Sequence, residues 1–460
     1  LGLSVAREIA YDAFIEVMEQ KKRPEDVLDA AYESQRGKNL KRIDRNLIKE
    51  IVFGGLRWYS KIYWILQNTS ERDLATTTAE IRSALVLGTY QIYYMDRVPD
   101  RAAVNESVEY VRKKGQANAC PFVNGILRQI ARRAEYFAKP DKDKEPVNYL
   151  ALQFAHPRWI VERWSRHYKF DRLENMLSSN NTPPPLTVRI NTLKTETKDA
   201  QQLQQELLRS ERTHSEKRNL RCSLRFKEFP NMEEDSLFNK GFYTIQDEAS
   251  QLISFIVNPQ PGEVIIDACA GPGGKLSHIY ELSKGQAKYY AIDRSKTQFA
   301  KAQETLKRLG HEENITWIQE DFLTWNAKEK VDKVLLDAPC SGLGVLRRHP
   351  EGKWQKDAGT VSTLSSKQKD LIEHALKQLK KGGELIYSVC SFEPEEAIDH
   401  LNWLKTKYED KIEVVTPVAH LPDYFKKYVT RQNVLVIYSG NQDDMDGFSA
   451  FCVRVKEEFS

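Results

Sequence analysis

Over residues 1 to about 140 the apolar side chains recur at three- and four-residue steps. Ile81, Leu85, Gly88, Ile92 and Met95 form one such stripe, which predicts a buried helix. Gly88 within it would let a neighbouring helix approach closely. Val5, Ile9 and Phe14 begin another amphipathic face. A further helix is expected after Arg97-Val98-Pro99-Asp100, and another opens at Pro121, since the first turn has no intrahelical partners for its amides. Residues 139–149, K-P-D-K-D-K-E-P-V-N-Y, break the pattern as a charged linker or surface loop. Beyond Pro183-Pro184-Pro185 the period falls to two: Leu186, Val188 and Ile190 alternate, as in a strand. The polar stretch Glu196 to Glu234 carries no assignable chemistry. At Gln246-Asp247-Glu248 a helix with an acidic first turn begins.

From about residue 260 the pattern changes to short apolar runs, each ending in a carboxylate or a thiol. They end at Asp267, Asp293, Asp337 and Cys390, and the run Ile315 to Ile318 leads into Glu320-Asp321-Phe322. Such runs, alternating with amphipathic helices like the one carrying Phe299, Ala302, Leu306 and Leu309, predict parallel strands buried on both faces. The carboxyl rim of such a sheet is where ligands bind. The first run opens into Cys269-Ala270-Gly271-Pro272-Gly273-Gly274-Lys275, whose glycines let the backbone approach a ligand closely. Its spacing is neither that of a phosphate loop nor that of a dinucleotide loop. Asp293, ending the second run, suits paired ribose hydroxyls. Asp321 suits an adenine amino group, with Phe322 as an apolar wall.

The fourth run reads V-L-L-D-A-P-C-S-G. Ala338-Pro339 imposes an extended turn, so Asp337 and Cys340 project from one rim. Fifty residues on, Cys390 ends a second strand, and each of the two cysteines is followed by serine.

Length and composition narrow the class. At 460 residues the chain is expected to hold two or three domains. Its 40% apolar and 29% charged content excludes a disordered chain. A net charge of +4 does not itself point to nucleic acid, so RNA contacts would fall to local clusters: Arg112-Lys113-Lys114, Arg132-Arg133, Arg347-Arg348 and Lys380-Lys381. Six cysteines without C-x-x-C spacing argue against zinc and against a disulfide framework; no metal is expected, and free thiols suit a reducing compartment. No apolar run has the length of a membrane span and the N-terminal stretch has no signal-peptide pattern, so a cytoplasmic location is expected.

Asp-Ala-Pro-Cys on one strand and Val-Cys-Ser on the next resemble the RNA cytosine-5 methyltransferases. That family usually has threonine at the position of Val389 and asparagine at that of Ala397. The glycine loop and the strand-end acids are similar to those of S-adenosylmethionine-dependent methyltransferases. The resemblance implies Cys269, Ala270, Gly271, Pro272, Gly273, Gly274, Lys275, Asp293, Asp321 and Asp337 as the S-adenosyl-L-methionine set. It implies Cys390 as nucleophile on C6 of cytosine, Cys340 in the release step, and Asp337 and Lys275 at the base. Y-Q-I-Y-Y-M-D-R-V-P-D-R-A-A-V-N-E-S-V-E and F-V-N-G-I-L-R resemble the NusB-like helical RNA-binding domain, and Arg189 and Asn191 sit on a matching R-x-N pattern. G-L-G-V-L-R-R-H-P-E-G-K-W extends the match and offers Arg347, Arg348 and Lys353 to phosphates. The implied fold is multidomain. An all-α NusB-like domain (1–145) precedes a small α+β connecting or RNA-binding domain (146–240) and an α/β Rossmann-like methyltransferase domain (241–460). The implied activity is methylation of C5 of a cytosine in 16S ribosomal RNA, naked or in an early small subunit, by a monomer acting on no DNA and no membrane. Alternatives are the same chemistry on transfer RNA, or a non-catalytic RNA-binding or antitermination factor.

Overall fold

The computed structural model describes all residues except 1, 133–136, 138, 195–215, 218, 227–233 and 460. Arg133 and most of the stretch Glu196 to Glu234 therefore lie outside the described residues. The chain divides into two compact units, Leu1–Pro183 with Leu346–Ala358, and Pro184–Val345 with Gly359–Ser460.

In the first unit the predicted helical pattern gives α1 Val5–Glu19, α2 Pro24–Glu33, α3 Arg42–Thr69, α4 Ala79–Tyr94, α5 Asp100–Lys113 and α6 Cys120–Arg132, then α7 Pro146–Gln153, α8 Arg158–Ser165 and α9 Phe170–Asn180. Side-chain caps fix two starts: Ser4 accepts from Arg7 N and Thr78 from Ile81 N. Gly88 does bring helices together, since a Cβ there would meet Ser107 Oγ at 2.7 Å and Leu127 Cδ1 at 2.8 Å. One expectation fails at α1. Val5 is exposed, whereas Ile9 and Phe14 are buried together with Tyr11, Ala13 and Val17, because the helix is packed over most of its circumference from Ala6 onward and its first position is left to solvent.

The cations of Arg112-Lys113-Lys114 are engaged by acids, Arg112 by Glu109, Lys113 by Glu8 and Lys114 by Asp12. A second correction concerns Leu346–Ala358, whose cations were expected at RNA phosphates. Lys353 is 1% exposed, and its ammonium donates to Arg57 O (3.2 Å), Ala155 O (3.2 Å) and Asn181 Oδ1 (2.7 Å). Trp354 Nε1 donates to Leu56 O, Gln355 Nε2 to Val17 O, and Arg347 is buried. The segment is thus a built-in part of the helical unit, and neither Lys353 nor Arg347 is presented to a polyanion.

The second unit holds two sheets. The smaller has strands β1 Leu186–Ile190, β2 Glu216–Lys217, β3 Ser223–Phe226 and β4 Tyr243–Ile245, in the order β2-β3-β1-β4. Both faces of β1 are buried. Leu186, Val188 and Ile190 pack in the small core, while Arg189, 0% exposed, donates to Gly274 O, Ser277 Oγ, Gln246 Oε1 and the Glu281 carboxylate. Asn191 donates to Gly241 O and Leu309 O. The R-x-N pattern therefore ties the small sheet to the large one. Breaking a buried ion pair of this kind costs about 3–5 kcal/mol.

The larger sheet comprises β5 Val264–Asp267, β6 Lys288–Ile292, β7 Ile315–Ile318, β8 Val331–Asp337, β9 Leu379–Val389, β10 Ile412–Val415, β11 Leu435–Ile437 and β12 Phe448–Val455. Its order is β10-β12-β9-β8-β5-β6-β7, with β11 also on β12. Strands β5 to β9 pair in parallel and β12 lies antiparallel to β9. Chain order reverses between β5 and β8, so the crevice at their carboxyl ends is the expected ligand position.

Candidate active site

The glycine loop leaves β5 at Asp267 and enters the helix Gly274–Leu282. Gly271 (φ 51°) and Gly273 (φ 83°) adopt the left-handed region, where only glycine is unstrained. Gly273 has a second reason, because a Cβ there would meet Leu306 Cδ1 at 2.7 Å. A Cβ on Gly271 would meet nothing nearer than Cys269 O at 3.9 Å, which leaves that side of the loop open. Asp293, just past β6, braces the loop: its carboxylate accepts from Gly271 N and Ser295 N, each at 2.8 Å. Asp321 accepts from Leu323 N and lies 3.5 Å from Arg294.

These acids border a cleft of about 430 Å³ lined by Cys269, Asp293, Glu320, Asp321, Phe322 and Pro339 among others. Behind it both oxygens of Asp267 are buried without a partner, and burial, then the charge of Asp337, pushes its carboxyl up to about 7. The border of the cleft carries Asp293, Glu320 and Asp321 against Arg294 and Lys367, and with the open glycine loop beside it this suits a ligand that carries cationic groups beside a ribose and an adenine. S-adenosyl-L-methionine, with its sulfonium and ammonium, has that chemistry.

The thiol end of the rim is built differently. Cys340 and Cys390, at the ends of neighbouring strands β8 and β9, have their sulfurs 3.1 Å apart as free thiols. The hydrogen bond with Cys390 is the first cause, and burial the second, that pushes the Cys340 thiol well up. Asp337 stands beside them: Lys275 Nζ donates to its Oδ2 at 2.6 Å and Ser388 Oγ to its Oδ1 at 2.7 Å. The Lys275 ammonium also lies 5.0 Å from the Phe448 ring centroid.

A buried polar network fixes the Cys340 loop. Glu396, 0% exposed, accepts from Ser341 N (2.7 Å), Ser341 Oγ (2.5 Å) and Gln368 Nε2 (3.1 Å). Gln368 also donates to Pro339 O, while its Oε1 lies 2.9 Å from Nε2 of His400, an imidazole that burial lowers to about 4. On the other flank Gly344 N donates to Cys390 O and Gly447 N to Gly344 O. A Cβ on Gly344 would meet Gly447 O at 2.2 Å, so that crossing admits glycine alone.

All the site residues expected from sequence thus lie along one sheet rim, with Lys275 and Asp337 joining the loop to the thiols. Gln368, His400 and the specific part taken by Glu396 were not foreseen. The stretch F-E-P-E-E offers three glutamates, of which Glu393 and Glu396 are both buried, with nothing to distinguish the one that meets Ser341 and Gln368.

A parallel sheet reversing at a glycine loop, with acids at successive strand ends, defines an S-adenosylmethionine-dependent methyltransferase fold. The family model described as 16S rRNA methyltransferase RsmB/F matches residues 254–452, the NusB family model residues 4–132, and the RsmF/B-like ferredoxin-like domain residues 156–225. A probable ribosomal RNA small subunit methyltransferase B of Synechocystis is 33% identical over 80% of this chain and 83% of its own. One from Bacillus subtilis is 30% identical over 98% of each. The crystal structure of PH0851, 22% identical, covers 98% of this chain and 99% of its own with a TM-score of 0.81, a likeness of fold. The chain belongs to the ribosomal RNA small subunit methyltransferase B family. Among the described residues no helix is long and apolar enough to cross a membrane.

Proposed function

We propose that the chain methylates C5 of a cytosine in 16S ribosomal RNA through a covalent bond between Cys390 and C6. The observation that carries this reading is the pair of free thiols 3.1 Å apart, beside the Lys275–Asp337 pair. Cytosine C5 is a weak nucleophile, and addition of a thiolate at C6 makes it enamine-like. An unperturbed thiol, with a pKa of roughly 8.5, is mostly protonated at neutral pH. Cys340, holding its proton and donating it toward the Cys390 sulfur, favours the thiolate on Cys390. Asp337 takes the amino edge of the base, with Lys275 and Ser388 fixing its carboxylate. When bound, S-adenosyl-L-methionine supplies the methyl group that C5 takes. Water then takes the C5 proton, the C5–H electron pair re-forms the 5,6 double bond and the C6–sulfur bond breaks to return Cys390 as the thiolate. Cys340 is assigned to this release step, its thiol proton stabilising the departing sulfur 3.1 Å away.

In this reading Cys269 to Lys275, Asp293, Asp321 and Asp337 hold the cofactor. Residues 1–145 act as the RNA-binding domain, 146–240 as the connecting domain and 241–460 as the catalytic domain. The target cytosine is flipped or looped out so that C5 and C6 reach both thiol and cofactor. The enzyme acts in the cytoplasm, as a monomer, on naked RNA or an early assembling small subunit. Mass analysis of 16S ribosomal RNA and transfer RNA after incubation with protein and cofactor tests it. Appearance of 5-methylcytidine in 16S RNA, mapped to one position by bisulfite, is expected; methylation of transfer RNA alone, or of neither, contradicts it.

A further inference from the structure

The helical unit gathers an imidazole and two carboxylates that the methyl-transfer reaction does not use. Glu25 lies in the first turn of α2, and His349 and Glu351 stand two apart in the Leu346–Ala358 segment of the same unit. His349 Nδ1 is 3.3 Å from Glu25 Oε1 and 3.5 Å from Glu351 Oε1. One donor atom from each of the three lies within 4.8 Å of the other two. Glu351 is 5% exposed, and among the described residues its Oε2 is buried without a hydrogen-bond partner, as is Oε2 of Glu25. Arg23 Nε stays 3.9 Å from the Glu25 carboxylate. His349 and Glu25 are half-buried, so a small solute reaches the set. The backbone holds it in place: Gly352 N donates to His349 O, and Trp354 N and Gln355 N donate to Glu351 O.

We infer that Glu25, His349 and Glu351 bind a divalent transition-metal ion of the zinc type, which pins the Leu346–Ala358 segment to α2. Distance is the first argument. Ligand atoms about 2.0–2.1 Å from a tetrahedral zinc ion stand about 3.3–3.4 Å apart, the spacing His349 Nδ1 keeps from both carboxylates. Charge is the second, since two carboxylates and a neutral imidazole balance a divalent cation. The third is the pair of buried carboxylate oxygens, which are costly without a partner and which a bound ion would satisfy. The rival is a histidinium held by two carboxylates: burial lowers the His349 imidazole, but Glu25 and Glu351 outweigh it and raise it to about 10. Charge-assisted hydrogen bonds of that kind run about 2.7–2.9 Å, shorter than the separations here, and they would leave both Oε2 atoms without donors. The expectation of no metal came from cysteine spacing and so concerned thiolate ligands. None of these three is a thiol, and no local motif joins Glu25 to His349.

The test is calorimetric titration of the full chain, stripped with a chelator and dialysed, with zinc chloride at about pH 8, where protons compete less for the ligands. One zinc ion per chain is expected at this site. His349→Gln should weaken it by at least about a hundredfold and Glu351→Gln by about tenfold or more, the first exceeding the 10–100-fold typical of losing an outer partner. Zinc should raise the melting temperature of wild type and leave that of His349→Gln unmoved. Zinc also takes thiolates, so cobalt(II) supplies the check. Its visible d–d bands should appear in wild type without a thiolate charge-transfer band and be lost in His349→Gln. If His349→Gln fails to fold, Glu25→Gln carries the same comparison. A wild-type chain that takes up neither ion overturns the site and leaves the histidinium triad, as does a fall in melting temperature in Glu351→Gln that is the same with and without zinc. Equal zinc affinity in wild type and variants, or a thiolate band with cobalt, places the ion elsewhere and overturns it too. None of these readouts uses RNA or S-adenosyl-L-methionine, so they stand apart from the proposed activity.

Discussion

The two ends of one sheet rim are built differently. At the carboxyl ends of β5 to β7 the acids border an open cleft, and Asp293 and Asp321 are held by backbone amides and one exposed arginine. At the ends of β8 and β9 the thiols sit against a fully buried network in which one glutamate accepts three hydrogen bonds. An exchangeable ligand needs a site that water and solutes reach. The covalent step proposed here needs its sulfur held on the attack line, where misplacement by about 1 Å can cost about a hundredfold. The same fold supplies both because neighbouring strand ends can be left open or buried independently.

That contrast can be broken by substitution, and the largest effect is expected at the thiol end. Cys390→Ala should lower turnover by a factor on the order of a million, the scale seen for loss of a nucleophile, while calorimetry finds cofactor affinity unchanged. Next comes Glu396→Ala, which removes the carboxylate that accepts from Ser341 N and Ser341 Oγ and leaves Gln368 Nε2 only its bond to Pro339 O. Turnover in steady-state assays should fall about a hundredfold with little change in KM for cofactor, and Glu396→Gln should recover part of it. If Glu396→Ala instead weakened cofactor binding and spared turnover, the two ends would not be separable.

At the open end, Asp293→Ala and Asp321→Ala should each weaken cofactor binding about tenfold by calorimetry, since a hydrogen bond to a charged group is worth roughly 1.5–3 kcal/mol. Unchanged affinity in both would reject the acid-lined cleft as the cofactor site. The smallest effect is that of pH. Asp267 is raised to about 7 in the folded chain, above the usual carboxyl value of about 3.9. A group raised on folding contributes stability that is fully present below its unfolded pKa and is lost as pH rises through the folded one. Thermal melting of wild type should therefore lose that contribution between about pH 4 and about pH 8, and Asp267→Asn should not. Protonation of Asp267 also removes negative charge behind the cleft, so affinity for the cationic cofactor should fall severalfold from about pH 8 to about pH 6 in wild type only.

The rim itself was legible in sequence at both ends. Parallel strands buried on both faces read as uninterrupted apolar runs, so the first polar residue after each run marks the rim. Asp267, Asp293, Asp337 and Cys390 were found that way. The buried network was not legible, because an inward glutamate and a solvated one look alike in F-E-P-E-E. The same ambiguity hid the fate of two cations. Arg189 alternates with Val188 and Ile190 and so reads as the solvent face of a strand, yet both faces of β1 are covered. Lys353 follows two arginines and reads as a phosphate contact, yet it is buried on three oxygen acceptors. Because Leu346–Ala358 packs in the helical unit, removal of residues 1–145 would also strip Lys353 of Arg57 O, one of its three acceptors, and Trp354 of Leu56 O, so point variants separate the units more cleanly than truncation.

The central claim, that Cys390 attacks and Cys340 serves release, is tested most directly by denaturing electrophoresis of each cysteine variant after incubation with 16S ribosomal RNA and S-adenosyl-L-methionine. Cys340→Ala retains the attacking sulfur and should accumulate a protein–RNA adduct that carries the transferred methyl and survives denaturation. Cys390→Ala should form none. An adduct in Cys390→Ala and its absence from Cys340→Ala would contradict the account and exchange the roles of the two thiols.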